Sequence, residues 1–362
     1  MVAIPFCAPV LRLARYQPAI DHALQRVVRS GHYILGPEVA TFERELAESL
    51  GGGHCIGVGN GTDAISLALM GLGIGAGDEV ICPALTAHGS IVGILRAGAI
   101  PVFTEIDPAT RCLNPDAVEQ AISPRTAAIL AVHLHGHPAA MPALCAMASR
   151  HRLAVVEDVA QSLGGHLNDR PLGTWGDAAA FSFYPTKNQG CLGDGGAVFT
   201  KDGAVAARLK RLRSYGWDAQ RICHEAGMNS RLDEMQAAIL RVMLPHLGEE
   251  VCRRRALASR YREALATCAL GLPGDAPGAT YHQFAVTVSD RHHFRAWLDA
   301  GGIATDVHYP LGMHRMPAFP DARLPVTDQL AQELVSMPIQ PEIAEAHFDR
   351  IVGRIVNYWS QA

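Results

Sequence analysis

One lysine stands out among the residues that could do chemistry. Lys187 is the only lysine in the first 200 residues of this 362-residue chain, a stretch that otherwise uses Arg. It lies in AAAFSFYPTKNQGCLGDGGAVFT (178–200), where a glycine-rich polar loop joins two apolar runs. Lysine amines form Schiff bases with carbonyl compounds when desolvation or a neighbouring cation lowers their pKa. Taken alone, a solvated loop lysine is the plainer reading. A second candidate is VVEDVAQS (155–162), where a strand would deliver Glu157 and Asp158 at its carboxyl end. Open α/β sheets bind ligands at that edge. A carboxylate so placed holds a protonated ring nitrogen or a metal, or merely closes a turn. The third is GVGNGTDA (57–64), a glycine-rich turn between a short apolar run and a helix. Free amides at a helix start, with small residues allowing close approach, suit a phosphate. No lysine follows Gly61 as the Walker loop requires, and Gly57, Gly59 and Gly61 do not keep GxGxxG spacing. Asp78, in GIGAGDEV, reads as a turn residue rather than a ribose contact.

A fourth segment, AVHLHGHP (131–138), alternates His133, His135 and His137, which on a strand would share one face and could bind zinc. No carboxylate or fourth ligand lies nearby in sequence, so no metal site is expected. The first three segments gain weight together. In chain order they are a phosphate-cradling helix start, an acidic strand end and a Schiff-base lysine. Those match the phosphate, ring nitrogen and aldehyde of pyridoxal phosphate, whose protonated ring acts as an electron sink.

The elements that must position these groups read as α/β. Short, mainly apolar runs at 79–83, 126–134, 153–157, 178–183 and 196–200 alternate with helical patterns at 41–50 and 62–72. Continuous rather than alternating apolar runs suit strands covered on both faces. After about residue 230 the texture changes. A long helical stretch runs from 231 to 266, bent near Pro245, and GLPGDAPGAT (271–280) reads as a linker. One strand (284–288) and helices near 291–300, 327–335 and from 342 complete a smaller α+β part.

Composition excludes several classes. Charged residues are 18% and apolar residues 49%, the opposite of a disordered chain. With 31 basic and 35 acidic residues there is no basic stripe for nucleic acid; Arg253, Arg254 and Arg255 read as a solvated helix face. Nine cysteines without a CxxC pair argue for free thiols in a reducing compartment. The N-terminus lacks the basic start of a signal peptide, and no apolar run is long enough to span a membrane. A cytoplasmic protein is expected, without nucleic-acid or membrane partners.

At this level of detail the sequence closely resembles the DegT/DnrJ/EryC1/StrS family of sugar aminotransferases. The matching residues include GNGTDA (59–64), PVFTEIDP (101–108), VHLHG (132–136), EDVAQS (157–162) and FSFYPTKNQGCLGDGGAV (181–198). They continue through MNSRLDEMQAAIL (228–240), HYP (308–310) and MPIQPEI (337–343). The resemblance implies the fold type I architecture of aspartate aminotransferase. That is a three-layer α/β/α large domain with a mostly parallel sheet over 1–245, and a small α+β domain over 246–362. It implies an internal aldimine between pyridoxal phosphate and Lys187, with Lys187 later moving the proton. Asp158 would pair with the ring nitrogen and Gln161 would contact the ring or its 3-hydroxyl. Gly61, Thr62 and Ser182 would hold the phosphate, and Asn229 would reach the cofactor of a neighbouring subunit in a homodimer with composite sites. Tyr184, Arg231, His308 and Tyr309 would contact the nucleotide-linked sugar.

Two departures matter. Ala87 stands where many members stack an aromatic ring on the cofactor, leaving His88 as the replacement, and Pro142 stands where Asp is common. Lys187 argues against the branch in which histidine replaces lysine and the enzyme is a dehydratase. The implied reaction is amino transfer, from L-glutamate, to a keto group of a nucleotide-linked deoxysugar. The KNxGxxGDGG form of the loop favours 3-keto over 4-keto substrates. A keto-cyclitol aminotransferase and a non-catalytic regulator are the alternatives.

Overall fold

The computed structural model describes residues 3–360. Its strands in chain order are β1 (His54–Val58), β2 (Glu79–Pro83), β3 (Ile100–Thr104), β4 (Thr126–Val132) and β5 (Ala154–Asp158). A minimal hairpin follows, β6 (His166–Leu167) with β7 (Arg170–Pro171), and then β8 (Ala178–Ser182), β9 (Gly196–Thr200), β10 (Phe284–Thr287) and β11 (Leu334–Met337). Seven of them form one sheet in the order β1-β9-β8-β5-β4-β2-β3. Only β9 runs against the other six. The expected mostly parallel, helix-covered sheet is therefore present. Its inner strands are buried along nearly their whole length, which is why they read as continuous apolar runs.

β3, which is not among the expected strands, carries Pro101. Proline lacks the N–H that a central strand must donate, but β3 is the sheet's edge and pairs only with β2. Strand β11 was likewise absorbed into a helix expected over 327–335. That helix stops at Glu333, and Leu334–Met337 pairs with β10 instead. The three histidines of AVHLHGHP do not share a strand face. β4 ends at Val132, and His135 has a left-handed φ of 59° in the turn that follows. No group of three or more metal-ligating side chains occurs among the described residues.

One hydrophobic cluster fills the space between β2, β4, β5 and the helices Gly61–Gly71 and His88–Arg96. A second covers the other side of the sheet, around Phe42, Phe181, Phe183 and Phe199. A third joins β10 and β11 to the helices Leu247–Ala264, Arg291–Ala300 and Pro341–Ser360. Ile4 packs in this third cluster, while Met313, Leu324, Leu330 and Leu334 join the first, so packing crosses the division at 245 in both directions. No helix is long and apolar enough to cross a membrane among the described residues.

Candidate active site

All parallel strands deliver their carboxyl ends to one edge of the sheet, and a cavity of about 870 Å³ opens there. β1 leads into Asn60, whose side chain accepts from the Asp63 amide at 2.8 Å and caps the helix Gly61–Gly71. That leaves the amides of Gly61 and Thr62 without an intrahelical acceptor at the cavity wall. Ser182, the last residue of β8, faces the same point. A Cβ on residue 61 would lie 2.7 Å from Ser182 Cβ, so glycine is what lets the helix start and the serine close around a small group.

β5 ends in two carboxylates that alternation sends to opposite faces. Glu157 is fully buried and accepts from the amides of Gly173, Trp175 and Gly176 and from His133 Nε2 at 3.0 Å. Every bond it makes is to its own fold, so it braces the sheet. Asp158 instead lines the cavity. Its Oδ1 accepts from Ala160 N at 3.1 Å and its Oδ2 from Ser90 Oγ at 2.8 Å.

The loop after β8 brings Lys187 to the cavity, with no hydrogen-bond or ion-pair partner for its amine among the described residues. Burial pulls the amine below the usual lysine range, against the opposing pull of the Asp158 carboxylate. The loop is held from outside. Arg12, buried in the N-terminal helix Pro9–Ala14, donates to the carbonyls of Lys187 (2.7 Å), Asn188 (3.1 Å) and Pro185 (3.0 Å). Asn188 Oδ1 in turn meets His282 Nδ1 at 3.1 Å.

Gln161 spans two further walls. Its Oε1 accepts from the His135 amide at 2.6 Å, and its Nε2 donates to the Tyr309 hydroxyl at 3.2 Å. Burial pushes the Tyr309 phenol up, so it stays protonated, and the hydroxyl keeps its proton to donate into the cavity. His308 rests on Phe6 and meets Ser336 Oγ at 3.0 Å. His88 opens the helix His88–Arg96 and stands edge-on to Tyr309, with ring centroids 6.3 Å apart.

Ten of the twelve candidates thus line one cavity: Gly61, Thr62, His88, Asp158, Gln161, Ser182, Tyr184, Lys187, His308 and Tyr309. Asn229 and Arg231 do not; Asn229 is exposed on the outside of the chain. The sequence reading missed Ser90, Arg96, Thr186, Asp194, His282 and Gln283, which also line the cavity. His282 and Gln283 lie one residue beyond the segment read as a linker, and nothing local marks them. The donor set fits pyridoxal phosphate. It contains an anion cradle that a Cβ would fill, a carboxylate on the cavity wall and a desolvated amine without a partner.

Comparison with known proteins agrees. The sequence profile of the DegT/DnrJ/EryC1/StrS aminotransferase family matches residues 15–356. The dTDP-3-amino-3,4,6-trideoxy-alpha-D-glucose transaminase of Streptomyces venezuelae is 44% identical over 99% of this chain and 96% of its own. The erythromycin biosynthesis sensory transduction protein EryC1 of Saccharopolyspora erythraea is 44% identical over 97% of this chain and 98% of its own. The crystal structure of S. venezuelae DesV in complex with a ketimine intermediate superposes with a TM-score of 0.96 at 43% identity, covering all of both chains. The chain belongs to the DegT/DnrJ/EryC1/StrS aminotransferase family and is a pyridoxal-phosphate-dependent aminotransferase.

Proposed function

We propose that this enzyme moves an amino group from L-glutamate to the keto group of a nucleotide-linked deoxysugar, with 3-keto sugars preferred to 4-keto sugars. The observation that carries this reading is one cavity holding Lys187, Asp158 and the Gly61–Ser182 cradle, with Tyr184, His308 and Tyr309 on its remaining wall. Names of relatives support the substrate class: transaminases of dTDP-linked 3-amino sugars, and a UDP-linked 3-oxo-glucuronate aminotransferase. Bound pyridoxal phosphate supplies an aldehyde for the donor amine and a protonated ring that absorbs negative charge. Gly61, Thr62 and Ser182 would bind its phosphate, Asp158 would hold the ring nitrogen, and Gln161 and His88 would contact the ring. Lys187 Nζ would take the proton from the donor's α-carbon and return it two atoms away, as a 1,3-shift requires. A desolvated amine suits this task, because its lowered pKa leaves more of it free to accept a proton. Tyr184, His308 and Tyr309 would orient the sugar nucleotide, and Arg231, outside its own chain's cavity, would do so from the neighbouring subunit.

The working unit is a homodimer in which Asn229 of each chain completes its neighbour's site. Supporting this, Tyr33, Ile34, Leu35 and Ile222 are exposed apolar side chains, three of them consecutive. The nine free thiols support a cytoplasmic setting. The regulatory names of two relatives are no reason to set catalysis aside while the lysine and carboxylate remain together.

The test is a substrate panel. Purified enzyme with L-glutamate should aminate nucleotide-linked 3-keto sugars faster than 4-keto sugars, and keto-cyclitols not at all. Activity on cyclitols alone would overturn the sugar reading. Lys187→Ala should lose both visible absorbance and amino transfer; a native protein that stays colourless with pyridoxal phosphate would overturn the catalytic assignment.

A further inference from the structure

Asp158 does not stand alone at the end of β5. Ser90 Oγ lies 2.8 Å from its Oδ2, and Thr86 Oγ1 lies 2.8 Å from Ser90 Oγ. Both residues are buried: Thr86 is 0% and Ser90 1% exposed. The direction of this chain follows from valence. An ionised carboxylate only accepts, so Ser90 must donate to it. A hydroxyl has one proton, so Ser90 must then accept from Thr86. The protons therefore run Thr86 to Ser90 to Asp158, each bond polarising the next.

The backbone holds both hydroxyls in place. Ser90 sits in the first turn of His88–Arg96, with its amide bonded to Ala87 O at 3.0 Å. That helix is fixed to Gly61–Gly71 by Ser66 Oγ donating to Gly93 O at 2.9 Å. It also approaches so closely that a Cβ on Gly89 would lie 2.8 Å from Thr62 Oγ1. The helix that orients the carboxylate thus touches the residue at the phosphate end of the cavity.

We infer that Ser90, backed by Thr86, is a positioning residue that sets the orientation in which Asp158 meets the cofactor's ring nitrogen. The Ser90 bond occupies one lone pair of Oδ2 and Ala160 N one of Oδ1, which fixes the carboxylate plane and leaves its remaining lone pairs for the cavity. Lys187 and Tyr309 are the other titratable groups whose charge is felt with that of Asp158, and neither touches the two hydroxyls. The inference rests on the assignment of Asp158 to the ring nitrogen.

The test separates the two. Equilibrium dialysis of the full chain, freed of cofactor, measures binding of pyridoxamine phosphate and of its deaza analogue, in which carbon replaces the ring nitrogen. Ser90→Ala should weaken pyridoxamine phosphate about tenfold, the scale on which partners of a ligating group act, and leave the analogue unchanged. Thr86→Val, close in shape and one bond further away, should weaken it less and add nothing in the Ser90→Ala background. Equal loss for both ligands would mean a merely structural role and overturn the inference, as would no loss for either. Asp158→Asn reports on the underlying assignment. If it abolishes the preference for the nitrogen-bearing ligand while Ser90→Ala does not, only the relay fails. If it leaves the preference intact, the reading of Asp158 itself fails.

Discussion

Lys187 shows how far a side chain's chemistry depends on what surrounds it. Its amine is pulled below the ordinary value of 10.5 by burial, with the Asp158 carboxylate pulling the other way. Below the lowered value the amine is protonated and inert; above it the free amine can attack a carbonyl or take a proton. In the cofactor-free chain, labelling of Lys187 by an amine-reactive reagent, followed by peptide mass, should show a midpoint below 10.5. Asp158→Asn should move that midpoint lower still; an unshifted or higher midpoint in the variant would contradict the electrostatics. The same shift affects stability. The folded chain binds this proton more weakly than the unfolded chain, so the buried amine costs stability at neutral pH. That cost fades as pH rises through the interval from the lowered value to 10.5. His135 is also desolvated, and its Nε2 donates to the His308 carbonyl at 3.0 Å, so it serves as a neutral strut rather than a pH switch.

Between elements, two close approaches do most to shape the site. The first is Gly61 against Ser182. Gly61→Ala must separate the helix start from the end of β8, and overpacking of this kind costs about 1–3 kcal/mol. Pyridoxal phosphate affinity should fall about tenfold or more by dialysis, with little change in far-ultraviolet circular dichroism. The second is Glu234, at the start of the helix Glu234–Met243. Its carboxylate accepts from Gly36 N (2.9 Å), Glu38 N (2.9 Å) and Val39 N (2.7 Å), capping the helix Pro37–Ser49 from another part of the chain. Glu234→Ala strands three amides at a helix N-terminus and should cost about 2 kcal/mol or more in urea denaturation. Glu234→Gln keeps an acceptor and should cost less. Local sequence signals that begin and end helices cannot reveal such a cap, because its partner lies almost 200 residues away in the chain.

At the scale of the whole molecule, Asn229 and Arg231 are informative because they lie outside their own cavity. Sedimentation should give about twice the 38.7 kDa chain mass, and Ile34→Asp, which places a charge among the exposed apolar residues, should shift it toward a single chain. Composite sites make a sharper prediction. Lys187→Ala and Asn229→Ala proteins, each inactive alone, should recover activity when unfolded and refolded together, because one site of the mixed dimer then carries both native residues. No recovery would show that each chain completes its own site.

The candidate chemistry of this protein was legible in its sequence because the groups that line the cavity sit beside strong local signals. Lys187 follows the end of β8, Asp158 ends β5 and Gly61 opens a helix, and strand ends and glycine turns announce themselves over a few residues. Five of the seven strands of the main sheet could be read for the same reason; β1 showed only as a short apolar run, β3 carries Pro101 at the edge, and in the small second sheet β11 adjoined a helical pattern. What tertiary structure alone decided was which neighbour each group received. Ser90 reached Asp158 from 68 residues away, and Arg12 reached the lysine loop from 175. Glu157, next to Asp158 and chemically its equal, was turned to the opposite face and spent on the fold. Periodicity assigns residues to the faces of an element, but the partners, burial and charge state of a side chain are set only when elements pack against one another.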